Sequence, residues 1–238
     1  MSNATFAFKQ FEIKQDKCAM KVGTDAVLLG SWIIPNGSTK ILDIGTGTGI
    51  IALMLAQKSN AQIQAIDIDQ GAFEQAGINV SESIFKNKIS VFHSSFQEFS
   101  KNTDNKFDLI VTNPPYFVGS LKNPDSNRSN ARHADVLPSM DLITGVKKML
   151  SEKGKLYLIL PKKEAENFRE LAEQKGLHLS KLLRVRTRLD KEEEKRHLMQ
   201  FEYNPTEFSE STLVIEKDER KSYTEEYKNL TKDYYVHF

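Results

Sequence analysis

The chain has 238 residues, with 33 Lys and Arg against 32 Asp and Glu, so one sizeable core is possible and the formal net charge of +1 does not announce a nucleic-acid binder. Cys18 is the single cysteine, which excludes an intrachain disulfide and fits a reducing compartment, and His93, His133, His178, His197 and His237 are scattered without metal-ligand spacing. There is no apolar span long enough to cross a membrane and no signal-peptide pattern, so a cytoplasmic protein is expected.

In chain order, Thr24 reads as the N-cap of a helix starting at Asp25. Lys40 to Ile44 is a short apolar strand carrying Asp43, and it runs into Gly45-Thr46-Gly47-Thr48-Gly49 before the helical pattern Ile50 to Gln57. The next strand, Ile63 to Ile66, delivers Asp67 roughly twenty residues beyond the glycines, the separation at which a ribose-binding acid is expected in strand, loop and helix units of this kind. Glycines let backbone approach a ligand, the carboxylate accepts from ribose hydroxyls, and Ile68 can lie against an adenine face. The spacing GxGxG differs from the GxGxxG of pyrophosphate-binding domains. A nucleoside cofactor without phosphates fits better, and Asp43 suits an ammonium, as at the methionine end of S-adenosylmethionine.

Ile89 to His93 reads as a third strand ending at Ser94-Ser95-Phe96. Ser95 can accept from a cofactor amino group with Phe96 covering the ring, or the segment is an ordinary strand exit. Phe107 to Thr112 is a further buried strand, followed by Asn113-Pro114-Pro115-Tyr116. The prolines stiffen the backbone. The Asn113 side chain and the Pro114 carbonyl can then each accept one hydrogen of a single NH2, while Tyr116 offers a flat stacking face. Such a group is a base or a carboxamide.

Lys122 to Arg132 is the longest loop candidate. Helices are expected over Ser139 to Leu150 and Lys162 to Gly176 around a strand at Leu156 to Leu160, with later strands at Leu177 to Thr187 and His197 to Tyr203. Arg184, Arg186 and Arg188 share one strand face. They, with Arg128 and Arg132, are candidates for phosphate contact; the alternative is a solvated face paired with the acidic run Asp190 to Glu194, read as a hairpin loop.

With these motifs placed, the chain resembles the class I S-adenosylmethionine-dependent methyltransferases, and more closely the bacterial family that methylates N6 of adenine 37 in valine tRNA. The run Phe8-Lys9-Gln10-Phe11, then Asp16-Lys17-Cys18-Ala19-Met20-Lys21-Val22-Gly23-Thr24-Asp25 with Leu28-Leu29-Gly30 and Trp32, carries the likeness, as do Tyr223 to Tyr227 and Tyr234-Tyr235. The resemblance implies one α/β domain over 1–238 with a Rossmann-like, seven-stranded, mostly parallel sheet, helices on both faces and an antiparallel last strand. It implies that residues 1–36, with Lys21 and Thr24, close over the cofactor site. It further implies S-adenosylmethionine held by Gly45, Gly47, Gly49 and Asp67, with Asn113, Pro114 and Tyr116 as the amino-group clamp and Phe117 a second stacking ring. The expected partner is tRNA, with no metal and a monomeric enzyme. Competing readings are methylation of a protein glutamine carboxamide, as in release factors, of ribosomal RNA or of DNA, and a catalytically silent cofactor- or tRNA-binding module.

Overall fold

The computed structural model describes residues 4–18, 20–114 and 137–237. In chain order these form β1 (Thr5–Ala7), β2 (Glu12–Lys14), α1 (Thr24–Trp32), β3 (Lys40–Ile44), α2 (Ile50–Lys58), β4 (Gln62–Asp67), α3 (Gln70–Glu82), β5 (Ile89–His93), α4 (Phe96–Asn102) and β6 (Phe107–Thr112). They continue with α5 (Ser139–Met149), β7 (Leu150–Pro161), α6 (Lys162–Gln174), β8 (His178–Arg188), β9 (Glu194–Glu202), β10 (Ser209–Glu216) and α7 (Glu225–Thr231).

The main sheet has the order β10-β8-β9-β7-β6-β3-β4-β5. Only β9 runs against its neighbours, β7 and β8; the remaining pairs are parallel. The expected mostly parallel sheet is therefore present, but it has eight strands where seven were expected: β9, the seventh strand of this sheet along the chain, is the antiparallel one, and the last strand, β10, adds a parallel neighbour to β8. The centre of the sheet is built from runs such as Ile41, Leu42 and Ile44 or Leu109, Ile110 and Val111, all buried, because both faces are covered. One core, with Leu53, Met54 and Tyr234, packs on one face, and a second, with Ile110, Ile143 and Phe168, packs on the other.

After β3 the chain moves outward through β4 and β5, then returns to lay β6 on the other side of β3. The strand order thus reverses between β3 and β6, and a crevice opens outside the carboxyl ends of strands at such a point. It is there that the glycine loop, Asp67 and Asn113 emerge.

The sequence-based cap of α1 needs correction. Gly23, with φ −117° and ψ 159°, is the N-cap and makes no side-chain cap bond, so Thr24 is the first helical residue and its exposed hydroxyl caps nothing. β7 also begins six residues earlier than the apolar pattern indicates, pairing Leu150 with Phe107 before an irregularity that restores register at Leu109 and Lys155. The β1-β2 hairpin and the C-terminal segment meet: Phe8 bridges Tyr235, the Lys9 amide donates to the Tyr234 carbonyl at 2.9 Å, and the buried Tyr234 hydroxyl donates to the Met54 carbonyl at 3.0 Å. Among the described residues no helix is long and apolar enough to cross a membrane.

Candidate active site

The glycine loop leaves β3 and is fastened to β4 by the Gly45 and Thr46 amides, which both donate to the Ile66 carbonyl, at 2.9 and 3.0 Å. Gly45, Gly47 and Gly49 have φ of 67°, 58° and 82°, a left-handed backbone that side chains rarely tolerate. A methyl group added at Gly45 would meet nothing within 4 Å, so its exposed backbone faces open space. Gly49 then caps α2 without a side chain. The loop is an open cradle of backbone at a helix N-terminus.

Two carboxylates lie beneath it. Asp43 is fully buried; one oxygen accepts from the Thr46 hydroxyl at 2.6 Å and the other has no hydrogen-bond partner among the described residues. Burial pushes its carboxyl up to about 7, with the Asp67 charge adding to the rise and the Thr46 hydroxyl and the Ala52 amide opposing it. Asp67 stands at the end of β4 and accepts from the Gly47 amide at 2.8 Å and the Asp69 amide at 3.0 Å. Its pKa is also raised by burial, an effect those two amides oppose. Each carboxylate oxygen has more than one acceptor site, so the Asp67 bonds leave capacity for a ligand. Neighbouring Ile68 is half exposed, and its carbonyl is held 2.9 Å from the His93 ring nitrogen.

These features suit S-adenosylmethionine: an orphaned buried carboxylate oxygen for a cationic end, a cradle without side chains, a ribose acid and an exposed aliphatic surface. The other side of the crevice is the end of β6. There the buried Thr112 hydroxyl donates to the Ile44 carbonyl at 3.0 Å, pinning the residue before Asn113 directly to the strand that feeds the glycine loop. Asn113 and Pro114 follow, both partly buried.

Other expected site residues fall elsewhere. The Ser95 hydroxyl caps α4, accepting from the Glu98 amide at 3.1 Å. The Phe96 ring does not cover the crevice as expected; it is buried in the core, where a methyl group on Gly145 of α5 would collide with it at 2.5 Å. Its place as the first residue of a helix whose inner face meets α5 explains this. Lys21, on the segment leading into α1, and Thr24, the first residue of that helix, are exposed, and the next residue, Asp25, pairs with Arg196 at 2.7 Å.

Arg184 is paired with Glu194 and Glu210, each at 3.1 Å, Arg186 donates to the Lys191 and Leu189 carbonyls, and Arg188 pairs with Asp190. The three guanidiniums are thus engaged by their own hairpin and the neighbouring strand. Tyr116, Phe117, Arg128 and Arg132 lie outside the described residues. Among the described residues no group of three or more His, Cys, Asp or Glu side chains could hold a metal ion. Thr112, His93 and two buried amides of α3, Gln75 and Asn79, were not anticipated; no motif marks them.

Strand order, the glycine cradle with its downstream acid, and the asparagine corner across the switch point define a class I methyltransferase. Comparison with known proteins agrees: a family model described as methyltransferase small domain matches residues 18–176. Proteins named tRNA1(Val) (adenine(37)-N6)-methyltransferase are similar over the whole chain. That of Parabacteroides distasonis is 43% identical, covering 99% of both chains, and that of Bacteroides thetaiotaomicron is 45% identical, covering 100% of this chain and 99% of its own. The chain belongs to the methyltransferase small domain family, alongside these tRNA1(Val) (adenine(37)-N6)-methyltransferases. Among solved structures, a protein described as a predicted O-methyltransferase from Agrobacterium tumefaciens superposes with a TM-score of 0.68 over 88% of this chain and 96% of its own. At 17% identity that likeness speaks for the fold alone.

Proposed function

We propose that this chain transfers a methyl group from S-adenosylmethionine to the exocyclic N6 of adenine 37 in the anticodon loop of valine tRNA. The observation that carries the reading is the Asn113-Pro114 corner, tied through Thr112 to the strand that feeds the glycine loop. That bond supports reading Asn113 as an amino-group acceptor beside a cradle for a cationic nucleoside.

The cofactor supplies an electrophilic methyl group on its sulfonium. Gly45, Gly47 and Gly49 would let backbone approach it, Asp67 would accept from its ribose hydroxyls, and Ile68 would lie against its adenine. Asp43 balances its positive end, directly or through water, and Lys21 and Thr24 lie on the segment that closes the site. Asn113 and the Pro114 carbonyl each accept one hydrogen of the target amino group, which draws the nitrogen lone pair out of conjugation with the ring and aims it at the methyl carbon. Bound there, the cofactor would supply the methyl group and keep the C–S electron pair as a neutral thioether, and the surplus proton would leave N6 for solvent, so these residues would need neither a metal nor a strong base. Positioning supplies most of the acceleration.

The target must leave its stack, which costs at most a few kcal/mol in a single-stranded loop. Tyr116 and Phe117 then stack on it, and Arg128 and Arg132 meet nearby phosphates. The arginines of β8 support this role less well, because each already has partners in its hairpin or on the neighbouring strand. We read the enzyme as a cytoplasmic monomer. Mass spectrometry of nucleosides from unmodified valine tRNA incubated with protein and S-adenosylmethionine tests the assignment: N6-methyladenosine at position 37 is expected. Methylated glutamine in a release-factor peptide, with unchanged tRNA, would overturn it.

A further inference from the structure

The segment from Lys14 to Cys18 lies along α3 and ends at the glycine loop, and three features of α3 hold it there. Gln75 and Asn79, four residues apart and so on one helix face, are both buried. Asn79 accepts from the Lys14 amide at 2.9 Å and donates to the Lys14 carbonyl at 2.9 Å and to the Thr48 carbonyl at 2.8 Å, so one side chain joins the segment to the loop itself. Gln75 accepts from the Lys17 amide at 2.8 Å. The third feature is a missing side chain: a methyl group at Gly71 would sit 2.7 Å from the Lys17 carbonyl oxygen. Beyond Lys17, the buried Cys18 sulfur reaches to 4.0 Å of the place a methyl group on Gly47 would occupy.

Neither amide touches the crevice, yet both hold pieces that line it. We propose that Asn79 and Gln75, with the gap at Gly71, are positioning residues for the cofactor: they clamp residues 14–18 onto α3 and fix the carbonyl of Thr48, so that the glycine loop is held in its binding shape. This rests on the reading of the crevice as an S-adenosylmethionine site. If the loop and the clamped segment are one unit, loosening the clamp weakens cofactor binding. Chemistry at saturating cofactor is then preserved, because Asn113 and Thr112 belong to the opposite wall.

Gly71→Ala is the sharpest variant, since alanine is favoured over glycine inside a helix. It should leave the thermal midpoint within a few degrees of the parent while prying Lys17 off α3. Asn79→Ala tests the joint directly, and Ser180→Ala, which removes a buried hydroxyl bonded to the Gln200 carbonyl in β9, supplies a destabilised control far from the loop. Calorimetry with S-adenosylmethionine, together with KM and kcat on tRNA, should show roughly tenfold weaker binding and a matching rise in the cofactor KM for Gly71→Ala and Asn79→Ala, as expected when one buried polar group loses its partner. In both, kcat should stay within about twofold, and Ser180→Ala should bind like the parent. Parent-like affinity in Gly71→Ala and Asn79→Ala, or equal weakening in Ser180→Ala, would overturn the proposal. A parent protein that itself fails to bind S-adenosylmethionine would overturn the cofactor reading instead.

Discussion

Asp43→Asn should change how stability depends on pH. A carboxyl whose pKa rises from 3.8 in the unfolded chain to about 7 in the native protein binds its proton more tightly when folded. Its contribution is therefore most favourable below the unfolded pKa and is lost as pH rises towards 7. Over the whole interval this corresponds to at most about 4 kcal/mol, at about 1.4 kcal/mol per pH unit. Between pH 5 and pH 8 the expected loss is about 2 to 3 kcal/mol, because part of the interval lies below pH 5. Asparagine cannot ionise, so the variant lacks this loss. It has a constant offset instead: its amide can still accept from Thr46 but brings two buried hydrogens that need partners, at about 1 to 3 kcal/mol. The informative quantity is the change in the gap between the two proteins, in which titrating groups that do not interact with Asp43 cancel; the charge of Asp67, which helps to raise Asp43, stays part of the measured change. Urea unfolding of ligand-free protein at several pH values measures it. The variant should gain about 2 to 3 kcal/mol relative to the parent from pH 5 to pH 8. Parallel stability profiles would mean that burial does not raise the Asp43 carboxyl in the folded protein, and the reasoning from its desolvation would fail.

Asp67→Ala should weaken S-adenosylmethionine binding by about 1 to 3 kcal/mol in calorimetry, with tRNA affinity nearly unchanged; unaltered cofactor affinity would remove Asp67 from the site. Asn113→Ala should abolish turnover in a methyl-transfer assay while cofactor affinity stays within a few-fold, and near-normal turnover would refute the amino-group clamp. Thr112→Val removes the hydroxyl that donates to Ile44 and should cost about 1 kcal/mol of stability by urea titration, with a larger proportional fall in kcat than in cofactor affinity. Arg186→Gln with Arg188→Gln should leave the salt dependence of tRNA binding unchanged, since both guanidiniums are engaged within their hairpin; a slope flatter by roughly one unit per residue would put phosphates on them.

The residues at the centre of the sheet were the most legible ones. Lys40–Ile44, Ile89–His93 and Phe107–Thr112 are strands with the boundaries expected from their apolar runs, because each is stopped by glycine, serine or Asn-Pro. The edges were less legible. β10 opens with the exposed run Ser-Glu-Ser-Thr, and its only apolar stretch, Leu213 to Ile215, is too short to mark a strand by itself. The first part of β7, Ser-Glu-Lys-Gly, looks like a loop, and it is the irregular stretch between the Phe107–Leu150 and Leu109–Lys155 pairs that join β7 to β6. In the site, glycines and the acid after a strand declare themselves by spacing, whereas Gln75 and Asn79 look like the polar side of an ordinary amphipathic helix. Their burial comes from the segment of residues 14–18, far away in sequence, and no local pattern records that contact. Phe96 misled for the opposite reason: an aromatic next to a strand exit suggests a ligand face, but the helix it opens turns it inward onto Gly145.

The meeting of Phe8 and Lys9 with Tyr234 and Tyr235 brings two segments far apart in the sequence side by side. A glycine-serine linker joining the segments that precede Phe8 and follow Tyr235 would leave α2, on which Tyr234 rests, undisturbed. New ends could then be cut in the exposed turn around Lys191 to Glu193, between β8 and β9. Such a rewired protein keeps the crevice and its order of strands across the switch point, and sends any fused tag out from the hairpin rather than from beside the segment that leads to the cofactor loop.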